Sequence, residues 1–233
     1  MNILKVIEVS KYWGGNRALE NITFSMNCNI LGIFGPNGAG KTTLLNIIAG
    51  IYSPTKGEIY YKEKNITKLK PWIRVQLGIS KTFQVVRPFR TMTVEENILL
   101  FSKVRDNSNV DEIIKITGLE DFRYRYPDQL PFGHLKKLEI AKVLSTNPDI
   151  LLLDEPFGGL NNEEIEDLLE LFVKLRKNGK KFVIIEHRIS SLLEIAEDVL
   201  FLDRGKKVFE GPVKRFLENE DIKEYYFGGT KNA

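Results

Sequence analysis

The stretch GPNGAGKT at residues 35–42 constrains the fold of this chain more than any other eight residues. An apolar run, Ile30 to Phe34, leads into it. Behind it Thr43, Leu44, Leu45, Ile47 and Ile48 recur as on one face of a helix. Glycines let successive backbone N–H groups curl around an anion, and the following helix N-terminus adds partial positive charge. Strand, glycine loop and helix in this order predict a phosphate loop on a parallel sheet. The candidate nucleotide-binding residues are Gly35, Pro36, Asn37, Gly38, Ala39, Gly40, Lys41, Thr42 and Thr43. Lys41 suits the β- and γ-phosphates of a nucleotide, and the Thr42 hydroxyl suits Mg2+.

Three more segments end apolar strands in polar groups. Ile150 to Leu153 is apolar throughout, as in strands buried on both faces, and Asp154-Glu155-Pro156 follows. Strand ends and phosphate loops share the carboxyl edge of such sheets. Asp154 suits the Mg2+ shell, and Glu155 suits a general base or the positioning of an attacking water. His187 follows Phe182-Val183-Ile184-Ile185-Glu186 and can contact a γ-phosphate or that water. Gln84 closes the expected strand Ile79–Phe83 and can bind Mg2+ or water. Lys41, Gln84, Glu155 and His187 are the candidate catalytic set.

The remaining pattern fills in an α/β chain. Period-two runs ILKVIEV and ENITFSM predict early strands, and Glu58–Tyr61 another. Pro71–Leu77 predicts a short helix. Thr93–Ser102 and Val110–Thr117 have helical spacing, and no strand is expected between Val85 and Thr146. Helix Glu163–Lys177 and strand Phe182–Ile185 resume the alternation, and Val199–Leu202 with Lys207–Phe209 flank a hairpin signal at Asp203-Arg204-Gly205. LPFGH at 130–134 precedes a helix, with Pro131 expected in its first turn.

Composition narrows the function. In 233 residues, 34 Lys and Arg against 31 Asp and Glu give a net charge of +3, with the bases spread along the chain. This argues against a dedicated nucleic-acid arm, and no nucleic-acid partner is expected. Cys28 is the only cysteine, which excludes an intrachain disulfide. No apolar run reaches the roughly 18 residues of a membrane span. A cytoplasmic chain is expected, with any membrane role coming through a partner.

In this order the motifs resemble the ATP-binding cassette (ABC) ATPases over nearly the whole chain. GPNGAGKT matches the Walker A loop, KTFQ the Q-loop, ILLLDEP the extended Walker B, GGLN the D-loop and IIEHR the histidine switch. The resemblance implies a P-loop (RecA-like) core with an N-terminal antiparallel β lobe and an inserted helical subdomain. Residues 1–84 would hold the β lobe and the first part of the core, 85–146 the helical subdomain, and 147–233 the second part and tail. It also implies ATP and Mg2+ as ligands, transmembrane permease subunits as partners, and a second ATPase subunit in a homo- or heterodimer. Trp13 would stack on adenine, with Tyr12 as the second candidate and packing on the β lobe as the alternative for Trp13, and Asn161 would lie at the dimer interface. LPFGH stands where the signature L-S-G-G-Q stands, so the Gly133 and His134 amides would face the partner's γ-phosphate. Pro131 departs from that pattern, lacking both a hydroxyl and an N–H. Val85, Val86, Pro88 and Phe89 are docking candidates, with lobe core as the alternative.

KTFQ, TMTVEEN, KKLEIAKVLSTNP and the tail NEDIKEYYFGG look like the ATPase subunits of branched-chain amino acid importers. Lipopolysaccharide-exporter ATPases share DEPF-x-G. A soluble non-transport ABC ATPase and a nucleotide-binding regulator are the other readings. One cassette without sustained heptads argues against the former, and intact Lys41, Asp154, Glu155 and His187 against the latter.

Overall fold

The computed structural model of the chain describes residues 3–83, 85–104 and 109–220. Strands β1 (Leu4–Trp13) and β2 (Asn16–Met26) form a hairpin. In β2 Ile22, Phe24 and Met26 are buried while Thr23 and Ser25 are exposed, as alternation requires of a half-buried strand. Strand β3 (Ile30–Phe34) is buried throughout and leads to α1 (Lys41–Ile48). Strands β4 (Lys56–Tyr61) and β5 (Lys64–Asn65) complete a sheet of order β2-β1-β4-β5, antiparallel at each pairing.

Helix α2 (Pro71–Leu77) precedes β6 (Ile79–Lys81). The strand expected to reach Phe83 stops at Lys81. Thr82 N–H still donates to the Leu152 carbonyl at 2.9 Å, but Phe83 beyond it turns out to solvent. Helices α3 (Val94–Ser102), α4 (Val110–Thr117) and α5 (Phe132–Leu144) follow, and no strand lies among the described residues between β6 and β7 (Ile150–Asp154). Their starts are set locally. Thr93 and Glu96 form a capping box for α3, and the Asn109 side chain accepts from Asp111 and Glu112 N–H at α4.

The chain ends with α6 (Asn162–Lys177), β8 (Lys181–Ile185), α7 (Ile189–Leu193), β9 (Asp198–Asp203), β10 (Lys206–Pro212) and α8 (Val213–Glu218). The β9–β10 hairpin turns through Arg204 and Gly205, both at positive φ. The large sheet has the order β10-β9-β3-β8-β7-β6, parallel except for β10.

This sheet separates two cores. Ile30, Phe34, Leu151, Leu153, Phe182 and Ile184 face the side of the helical segment. Leu31, Ile33, Ile150, Leu152, Val183 and Ile185 face α1 and the antiparallel sheet. The continuous apolar runs 30–34, 150–153 and 182–185 in β3, β7 and β8 follow from burial on both faces. The sheet order also sets side by side the carboxyl ends of β3, β8, β7 and β6.

Candidate active site at four neighbouring strand ends

The first wall of the site is the phosphate loop. Gly40 caps α1 at φ +97°, and its carbonyl accepts the first helical bond from Leu44 at 2.9 Å. A side chain there would meet the Ala18 carbonyl at 2.5 Å, so close packing against the β1–β2 hairpin admits only glycine. Lys41 is buried, and its ammonium donates to the Gly35 and Pro36 carbonyls at 2.8 and 2.9 Å. Burial lowers its pKa, against the opposing charges of Glu155 and Asp154. Residues 37–43 line a hollow of about 260 Å3 together with Asn16, Arg17, Ala18, Glu155 and His187. The structure thus brings Lys41, Thr42, Thr43, Glu155 and His187 together.

Asp154 ends β7 and is held from two sides. The Thr42 hydroxyl donates to Oδ1 at 3.3 Å, and Lys81 Nζ donates to Oδ2 at 3.1 Å. A hydroxyl and a carboxylate so placed suit a hard divalent cation that draws its other ligands from phosphate and water, as Mg2+ does. Among the described residues no three His, Cys, Asp or Glu side chains cluster as a protein-only metal cage.

Glu155 leaves β7 with φ +51°, which is strained for a residue with a side chain. Its N–H donates to the Ile185 carbonyl at 2.9 Å, which ties the turn to β8. Its Oε1 lies 2.8 Å from His187 Nε2. Glu186, next to the histidine, is buried. Its carboxylate accepts from Phe157 N–H at 2.6 Å and His187 N–H at 3.1 Å. Burial pushes its pKa up to about 7, and Glu155 adds to the rise.

No residue of LPFGH lines this hollow. Pro131 is the N-cap of α5, one position earlier than the sequence reading placed it. Its carbonyl accepts from Leu135 N–H at 3.1 Å, so the amides of Phe132, Gly133 and His134 stand ahead of the helical ladder. No side chain caps them. A Cβ on Gly159 would meet the Phe132 ring at 2.8 Å, and one on Gly133 would meet Glu164 Oε1 at 2.5 Å. The signature segment is therefore pressed against the GGLN loop and the start of α6. The His134 ring lies 4.3 Å from that of Phe122, and burial and Lys137 hold its pKa below the usual range.

Trp13 does not line the hollow. Its ring is edge-on to Tyr52 at 5.1 Å, with Lys11 Nζ 4.1 Å from its centroid. Gln84 and most of NEDIKEYYFGG, from Asp221 onward, lie outside the described residues. Val85 and Phe89 are exposed, at 62% and 45%, so the lobe-core alternative for them fails. Val85, Val86 and Pro88 line a groove of about 600 Å3 that reaches Phe132 and Glu155. A second, mostly apolar groove of about 360 Å3 lies beside Trp72, Phe83 and Phe101. Among the described residues no helix is long and apolar enough to cross a membrane.

The sequence reading missed Arg17, Lys81, Lys136 and Glu186. Lys136 is buried, and its ammonium reaches the Glu155 carbonyl at 3.3 Å. Charged residues inside otherwise apolar stretches were the available signal for Lys81 and Glu186.

A family profile described as "ABC transporter" matches residues 19–158. A protein described as "Probable branched-chain amino acid transport ATP-binding protein LivG", from Archaeoglobus fulgidus, is 30% identical over 98% of this chain and 96% of its own. The lipopolysaccharide export system ATP-binding protein LptB of Haemophilus influenzae is 29% identical over 98% of each chain. The crystal structure of the ADP conformation of MJ1267, an ATP-binding cassette of an ABC transporter, has a TM-score of 0.88 at 30% identity. The match covers 98% of this chain and 99% of that one.

Proposed function

The chain belongs to the ABC transporter ATPase family, and on that premise we propose that it drives import of branched-chain or other hydrophobic amino acids through a membrane permease. It is an ATPase whose hydrolysis is coupled to transport. Cassettes of this family bind ATP and ADP, pair with each other and work with permease subunits.

The contact of Glu155 with His187 at the edge of the phosphate-loop hollow carries our reading of the reaction. Glu155 takes a proton from the attacking water, and His187 holds the Glu155 carboxylate toward the γ-phosphate. Lys41 exchanges its loop carbonyls for phosphate oxygens. Thr42, Asp154 and Gln84 would hold Mg2+, which supplies charge neutralisation to the phosphates. Gly133 and His134 offer amides and the α5 dipole to the nucleotide of a second subunit. Trp13 is the adenine contact in this scheme and would have to leave Tyr52 to serve it.

The groove beside Val85, Val86 and Pro88, with Phe89 next to it, is the proposed permease seat. It adjoins Glu155 and Phe132, so a shift there is felt at both ends of the site. Residues 85–146 are the lobe that passes the motion on.

Similarity to the importer subunit supports the amino-acid reading. Similarity to LptB supports export of a lipid as the second. Uptake of radiolabelled leucine separates them. Cells carrying Lys41→Ala in place of the native chain lose leucine uptake under the import reading. Unchanged uptake, with lipid retained in the inner membrane, would replace it with export.

A further inference from the structure

Lys81 has no part in the reaction as assigned so far, yet it carries a buried charge at the site. It ends β6, and its register partner on the neighbouring strand β7 is Leu152. Two residues further along β7, on the same face, is Asp154. The two side chains are 7% and 2% exposed, and Nζ stands 3.1 Å from Asp154 Oδ2. Nζ also donates to the Thr82 carbonyl at 3.0 Å and lies 5.2 Å from the Phe83 ring centroid. An ammonium and a carboxylate this deeply buried persist only through each other and their hydrogen bonds.

We propose that Lys81 is a positioning residue for ATP hydrolysis. Its ammonium fixes one oxygen of Asp154 and so leaves the other beside the Thr42 hydroxyl, where metal–nucleotide binds. Without it the carboxylate rotates about its own bond and turns both oxygens toward Thr42 or Lys41. Lys81 also joins Asp154 to Phe83, so the second groove touches the metal ligand through a single side chain. The inference rests on the reading of Asp154 as a metal ligand.

The test is Mg2+-dependent binding of a fluorescent trinitrophenyl-ATP to the full chain, an equilibrium readout independent of turnover. Lys81→Met is expected to raise the half-saturating Mg2+ concentration about ten-fold, the loss of one charged hydrogen bond. Affinity in EDTA should stay within about two-fold, and Lys81→Arg should restore the Mg2+ requirement to within about three-fold. Added to Asp154→Asn, Lys81→Met should change nothing further, because it acts through that carboxylate. If the methionine variant does not fold, Lys81→Gln keeps a donor in the same slot and should give a rise of about three-fold. An effect of Asp154→Asn with none of Lys81→Met or Lys81→Gln would overturn the role of Lys81 alone. A lowered Mg2+ requirement in the Lys81 variants would do the same. No effect of Asp154→Asn would overturn the Asp154 reading and this inference together.

Discussion

Glu186 shows how burial next to a catalytic group writes itself into stability. Its carboxyl titrates near 4.5 when free and at about 7 in the fold. The folded chain therefore holds this proton more tightly than the unfolded chain. Its contribution to stability is greatest below about 4.5, falls as pH rises between the two values, and reaches its full cost above 7. Glu186→Gln removes this titration, so thermal unfolding across that window should show a shallower dependence of Tm on pH than the native chain. At His187 the expectation is kinetic. His187→Ala should lower kcat by about 100-fold with ATP binding intact, the scale of a lost general acid–base partner. Equal losses in binding and turnover would assign the histidine to nucleotide affinity instead. Lys41, Thr42, Asp154, Glu155 and His187 were legible because each sits in a contiguous string whose order carries its chemistry. Lys81 and Lys136 were not, because their partners are made by strand adjacency and helix packing across long stretches of chain. Trp13 was placed by resemblance, and its ring packs on Tyr52 because both lie beside the same hairpin end.

At the scale of elements, helix ends decide most of what can be changed. Helix α1 finishes against Arg74, whose guanidinium donates to the carbonyls of Ile47, Ile48, Thr67 and Leu69 at 2.7 to 3.1 Å. Burial lowers the pKa of this arginine to about 10. Arg74→Met leaves these carbonyls without their donor and should destabilise the fold by about 3 kcal/mol or more, read by urea unfolding. Helix α5 starts with no side-chain cap. Pro131→Ser restores a capping hydroxyl, about 1 kcal/mol of helix stability, and should raise ATPase activity or tighten ATP-dependent pairing. If stability rises while activity and pairing stay put, LPFGH is a helix start and nothing more. The sequence reading put Pro131 one position late because proline suits N1 at least as well as the cap. The buried strands were read correctly because continuous apolar runs bounded by turns have few alternatives in an α/β chain. Strand β6 was drawn too long because Phe83 is apolar, and only the tertiary structure shows that it faces a groove.

For the whole molecule, the proposed function has two halves of a nucleotide site meet across two chains. No residue of LPFGH lines the phosphate-loop hollow of its own chain, so under that proposal hydrolysis should require pairing. The permease seat predicts a separable defect. Val85→Asp should abolish co-purification with the membrane subunits and leave ATP binding by the isolated chain unchanged. In the proposed function Glu155 is the base of an ATPase that closes on ATP. The most direct measurement is light scattering and single-turnover hydrolysis of Glu155→Gln with ATP and Mg2+, beside the native chain. Hydrolysis should slow by at least about 100-fold, and a stable dimer should retain ATP. Native-like hydrolysis, or a variant that binds ATP and stays monomeric, would contradict it.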